Sequence, residues 1–146
     1  MISIFIDERG VATITLERAE KHNALCAQML DELKDAITNL SFNKAVRVVV
    51  LTGAGESFFA GGDLEWMREQ IQANSATRVR AATKLAHTLQ ALNTMPKPLI
   101  GALQGNAFGG GVGLAAVCDI AIGVDHLKMG FTETRLGLIP ATIGPY

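Results

Sequence analysis

Two glycine-dense turns, Ala60-Gly-Gly-Asp63 and Gly109-Gly-Gly111, constrain this chain more than any other feature. Each follows an apolar run with the look of a buried strand and precedes a segment of helical composition. Consecutive glycines strip the backbone of side chains, so another group can come close to bare N–H donors. At the start of a helix such as the one expected over Val112–Val117, those donors carry about half an elementary positive charge. The pattern favours a negative oxygen, either a phosphate or the oxyanion of an acyl reaction.

The rest of the chain supplies the frame for these turns. Ser3–Ile6 and Val11–Leu16 are β-leaning runs around the turn-like Asp7-Glu-Arg-Gly10, which predicts an antiparallel hairpin. Glu17–Ala24 reads as a polar loop. Met29, Leu30, Leu33, Ile37 and Leu40 recur at helical spacing, so an amphipathic helix is expected over Ala27–Leu40. Arg47–Thr52, Leu99–Leu103 and Asp119–Val124 read as strands covered on both faces, and Lys128–Phe131 as a short one. Val79, Ala82, Ala86, Leu89 and Leu92 predict a second helix over Ser75–Leu92, ended by Pro96 and Pro98. Buried strands alternating with amphipathic helices are the α/β pattern. With 146 residues and no internal repeat, one domain over 1–146 is expected.

Charge narrows the choice of partner. Thirteen Lys and Arg face 14 Asp and Glu without a basic run, which argues against nucleic acid and anionic membranes. No apolar stretch approaches the roughly 20 residues of a membrane span. The N-terminus lacks the marks of a signal peptide, so a soluble, cytoplasmic protein is expected. Cys26 and Cys118 lie far apart and predict no disulfide. His87 and His126 lack metal-ligand spacing and read as surface or packing residues; no metal is expected.

Gly111-Val-Gly-Leu-Ala-Ala116 fits a G-x-G-x-x-A dinucleotide fingerprint, with Asp125 or Glu133 downstream as the ribose ligand. Its first glycine falls well past the strand end, and the helix before Cys118 is short for a crossover of roughly 10–12 residues. No Gly-Lys-Ser/Thr follows any glycine. The competing reading uses both turns: two N–H groups from separate bends converge as an oxyanion hole. A single such turn is more often close packing; two in matching contexts favour function.

Glu20-Lys-His-Asn-Ala-Leu25, Ser57-Phe-Phe-Ala-Gly-Gly-Asp-Leu64, Gln104–Gly111 and Phe131–Pro140 resemble the signatures of the crotonase (enoyl-CoA hydratase/isomerase) superfamily, in order along the chain. The resemblance implies an α/β fold, the crotonase-like ββα spiral, and an acyl-CoA thioester substrate. Coenzyme A arrives with the substrate, and no separate cofactor is implied. The oxyanion donors would be the N–H groups of Gly62 and Gly110. His22, Ala24, Leu25, Ala60, Asp63, Leu64 and Phe108 would line the acyl-CoA site.

Hydratases of that family typically carry two glutamates. The first position matches Gly113 here and the second matches Glu133. Flanking Phe131 and Leu136 are expected to keep water from Glu133; the alternative is a solvent-facing residue paired with Arg135. One carboxylate suffices for an enoyl-CoA hydratase, or for an isomerase moving a proton between carbons of an enolate. Gly111–Ala116 and Glu133–Ile143 resemble the branch acting on methylglutaconyl-type thioesters. Glu65 stands where many relatives have a lysine near the CoA phosphate, and Asp63 reads as a helix cap.

Family members are longer. The turn-rich apolar end, Gly137–Tyr146, is expected to lead into C-terminal helices that this chain lacks, and those helices would build a homo-oligomer, a trimer or dimer of trimers. The alternative of another class is a non-catalytic truncated fragment or a CoA-ester binding module.

Overall fold

In a computed structural model covering residues 1–146, the chain opens with the expected hairpin. Strands β1 (Ile2–Ile6) and β2 (Val11–Leu16) pair antiparallel across a turn in which the Asp7 carboxylate accepts from Arg9 N and Val11 N, each at 2.9 Å. Helix α1 (Ala27–Phe42) buries Met29, Leu30, Leu33, Ala36, Ile37 and Leu40, the apolar stripe of its 3.6-residue period. Past its end, Lys97 Nζ donates to the carbonyl of the capping residue Asn43, which the helix leaves open, and to that of Val46 at 2.8 Å.

Strand β3 (Val48–Gly53) then enters parallel to β2. A three-residue strand, β4 (Ser57–Phe59), lies where the sequence suggested only a turn. Helices α2 (Leu64–Gln72) and α3 (Ser75–Asn93) follow, capped by the side chains of Asp63 and Asn74. Strand β5 (Leu99–Leu103), strand β6 (Asn106–Phe108), helix α4 (Gly110–Ala116), strand β7 (Ile120–Gly123) and strand β8 (Met129–Gly130) complete the order.

Two sheets result. The larger has order β1-β2-β3-β5-β7 and the smaller β4-β6-β8. A single cluster of 24 buried residues joins them, with Phe58 and Phe59 of β4 almost fully buried within it. Removing either aromatic ring would cost about 3–5 kcal/mol.

Three expectations about burial need correction. In β3 and β5, alternate residues are buried and their neighbours only half-buried, because the core forms on one face of the large sheet. Strand β7 is an edge with β5 as its only neighbour, so Ile120 and Ile122 are 55% and 63% exposed rather than buried. Helix α3 buries Thr88, Leu89 and Leu92 and packs Leu85 and Ala91 partly against the core. Val79 and Ala82, on the same predicted stripe, are exposed.

Candidate active site

The small sheet explains why distant residues meet. β4, β6 and β8 run parallel, so their C-terminal ends lie along one edge. Gly62 follows β4, Gly110 follows β6 and Glu133 follows β8, each within three residues of its strand end. Ligands of parallel α/β sheets bind at that edge. All three residues line one cavity of about 190 Å³, with Leu25, Trp66, Met67, Leu85 and Ile139–Ile143 among its walls. Glu133 is the only titratable side chain in that lining.

The two turns free their amides by different means. Leu25 N donates to Gly61 O at 2.7 Å and Asp63 N donates to Leu25 O at 2.8 Å. Backbone groups of an extended segment alternate in direction, so the Gly62 N–H is turned away from that bridge. Gly61 precedes it at φ +92°, a conformation that disfavours a side chain. Gly110 begins α4, where the first N–H groups have no intrahelical acceptor, and Gly109 enters at φ +52°. Neither Gly62 N nor Gly110 N donates to any protein acceptor.

Glu133 opens a short 3-10 turn, Glu133–Leu136. Its Oε2 is buried without a hydrogen-bond partner, and no ion pair with Arg135 forms. The expected shelter from Phe131 and Leu136 is not what buries it: those side chains are 48% and 57% exposed. The carboxylate lies instead against the glycine turn, where a Cβ on Gly109 would come within 2.9 Å of Oε1.

A wider cleft of about 600 Å³ meets this cavity at Gly62. His22, Ala24, Ala60, Asp63 and Leu64 line it. Leu25 belongs to the smaller cavity, and Phe108 lines neither. The Phe108 carbonyl instead backs the glycine turn, 3.6 Å from a Cβ placed on Gly61. Lys21 and Arg68 bring positive charge to the cleft beside Glu65.

Asp63 caps α2, accepting from Glu65 N at 2.9 Å and Trp66 N at 3.3 Å. Its other oxygen meets Arg18 Nη2 at 2.8 Å. Arg18 and these backbone donors hold the carboxyl below the usual carboxylate range against the opposing effect of burial. The segment Glu17–Ala24 is therefore more than a polar loop. Asn23 is fully buried at φ +56°, and its amide donates to the carbonyls of Ala54 and Ser57 at 2.9 and 2.8 Å. The tolerance of asparagine for left-handed backbone was the available signal for that position. Trp66, Met67 and Leu85 carried none.

His87 and His126 are exposed, Cys26 and Cys118 are free, and no group of three His, Cys, Asp or Glu gathers to hold a metal ion. No helix is long and apolar enough to cross a membrane.

Residues 7–145 match the family model described as enoyl-CoA hydratase/isomerase. The Bacillus subtilis protein YngF, named for the same family, is 38% identical over 140 residues, covering 95% of this chain and 53% of its own length. A crotonyl-CoA hydratase of Syntrophomonas wolfei is 36% identical over 134 residues, covering 91% of this chain and 50% of its own length. The crystal structure of an enoyl-CoA hydratase from Shewanella pealeana superimposes with a TM-score of 0.96 at 37% identity, over 99% of this chain and 54% of that one. The chain spans about half the length of the curated relatives it matches. An α/β crotonase-like fold, two unpaired glycine amides on one cavity and a match over nearly every residue agree: this chain belongs to the enoyl-CoA hydratase/isomerase family.

Proposed function

We propose that the protein hydrates a 2-enoyl-CoA thioester. The thioester oxygen sits between the N–H groups of Gly62 and Gly110, and Glu133 moves the proton. One observation carries this reading: two free amides and a buried carboxylate oxygen without a partner line the same small cavity. Each well-placed amide supplies about 3–4 kcal/mol to an oxyanion in the transition state. CoA would lie in the adjoining cleft along His22, Ala24, Ala60, Asp63 and Leu64, with Leu25 and Phe108 supporting the turn between.

The chemistry balances with one carboxylate. Glu133 takes a proton from water as the hydroxyl oxygen bonds to C3 of the acyl chain. The C2=C3 electrons move to the thioester oxygen, giving an enolate held by the two amides. Protonated Glu133 then returns its proton to C2. An isomerase uses the same parts, removing a C2 proton from a 3-enoyl thioester and delivering it to C4. Supplying 2-enoyl and 3-enoyl thioesters separately distinguishes the two.

Methylglutaconyl-type acyl groups are the finer substrate reading. The similarity of Gly111–Ala116 and Glu133–Ile143 to that branch supports it. A cytoplasmic homotrimer or dimer of trimers belongs to the same proposal, supported by the family resemblance. The contrasting reading is a CoA-ester binding module without turnover.

Glu133→Gln in the full chain decides between enzyme and binder. It should lower hydration of 2-enoyl-CoA by about 10²–10⁴-fold while leaving thioester binding in place. Undiminished turnover would remove Glu133 from the reaction, and thioester binding without turnover in the unsubstituted protein would favour the binding module.

A further inference from the structure

Gly113 lies inside α4, one turn along from Gly110, and its place is set by a residue thirty positions away. A Cβ added there would come within 2.9 Å of both Cβ and Cγ2 of Ile143. That is closer than real Cβ contacts come, and Ile143 is too well packed to yield, at 4% exposed within the core cluster. Ile143 also lines the small cavity with Gly62, Gly110 and Glu133.

We infer that Ile143 is the specificity-determining residue of this cavity, and that Gly113 is glycine because Ile143 fills the space any side chain there would need. This rests on the hydratase reading for its substrate but on packing alone for its coupling. Two consequences follow from the geometry. The cavity wall beside the first turns of α4 is branched aliphatic carbon, so no second proton-transfer group can be placed at position 113 while Ile143 stays. The cavity is also small, which suits a short or compactly branched acyl group better than a long straight one. Shortening Ile143 should admit a longer chain.

The experiment is a double-mutant cycle in the full chain, read by thermal melting, together with a substrate comparison. Gly113→Ala should lower Tm by about 5 °C or more with Ile143 present and by clearly less in an Ile143→Ala background. Additive shifts would overturn the coupling, whether or not the protein is catalytic. In the second arm, Ile143→Ala should raise kcat/KM for a straight eight-carbon 2-enoyl-CoA relative to crotonyl-CoA by about tenfold. An unchanged ratio would overturn the specificity role. If the unsubstituted protein hydrates no 2-enoyl thioester, the hydratase reading falls, and the melting cycle still decides the coupling.

Discussion

Arg18 Nη2 and Asp63 Oδ2 lie 2.8 Å apart, joining the loop before α1 to the glycine turn that presents Gly62. The same guanidinium donates to Ala24 O at 2.7 Å. Both side chains are largely buried, 12% and 8% exposed, so the pair is weakly screened by water. Removing one partner strands the other. Arg18→Ala should cost about 3 kcal/mol of stability, the low end for a buried pair, because Asp63 keeps its two backbone donors. Urea unfolding monitored through Trp66 measures this.

The same pair gives the protein an acid limb. Asp63 has a lower pKa folded than unfolded, so its stabilisation is present above the ordinary carboxylate value of about 3.9 and is lost as pH falls below it. Asp63→Asn should flatten part of the decline of Tm in acid. Asp7, held low by the Val11 amide and Arg9, and Glu32, held low by the N-terminal ammonium and Gln28, should keep the remainder.

Two glycine substitutions separate folding from chemistry. Gly105→Ala would set a Cβ 1.8 Å from Glu56 O, against backbone that cannot yield, and should prevent accumulation of folded protein. Gly109→Ala meets a positive φ and the Glu133 carboxylate at 2.9 Å. It should cost about 1–3 kcal/mol of stability and depress activity further than that loss explains, by displacing the acid/base group. Soluble yield tests the first variant, and comparing the loss of kcat with the loss of Tm tests the second.

Cys118 should resist alkylation. Burial, helped by the neighbouring Asp119 charge, pushes its thiol up to about 12, and its Sγ contacts Leu114 O at 3.1 Å. Little thiolate exists at pH 8, and thiolate is the reactive form. Iodoacetamide followed by peptide mass spectrometry should label Cys118 only after unfolding, and labelling at a free-thiol rate in the folded protein would contradict this burial.

The elements legible in the sequence were those with a period to show. The hairpin, β3 and β5 follow from β-leaning or apolar runs and α1 and α3 from a helical stripe, and the structure places each within a few residues. Of the small sheet only β8 was legible, within the short run Lys128–Phe131; β4 and β6 were not, because strands of three residues carry no period, and the pairings of all three are non-local. Burial at the margins was misjudged for a related reason: Ile120, Ile122 and Val79 are as apolar as core residues, and only position in the fold leaves them exposed.

By itself, the sequence determined the α/β alternation, the two glycine bends and the presence of one glutamate after the last strand, because propensity and turn chemistry act over a few residues. Only the tertiary structure decided that Gly62, Gly110 and Glu133 share a cavity, since that follows from three parallel strands ending along one edge. It alone also decided that Arg18 answers Asp63 and that Ile143 fills the space beside Gly113. Relationships between residues 23 to 71 positions apart are selected by packing the whole core at once.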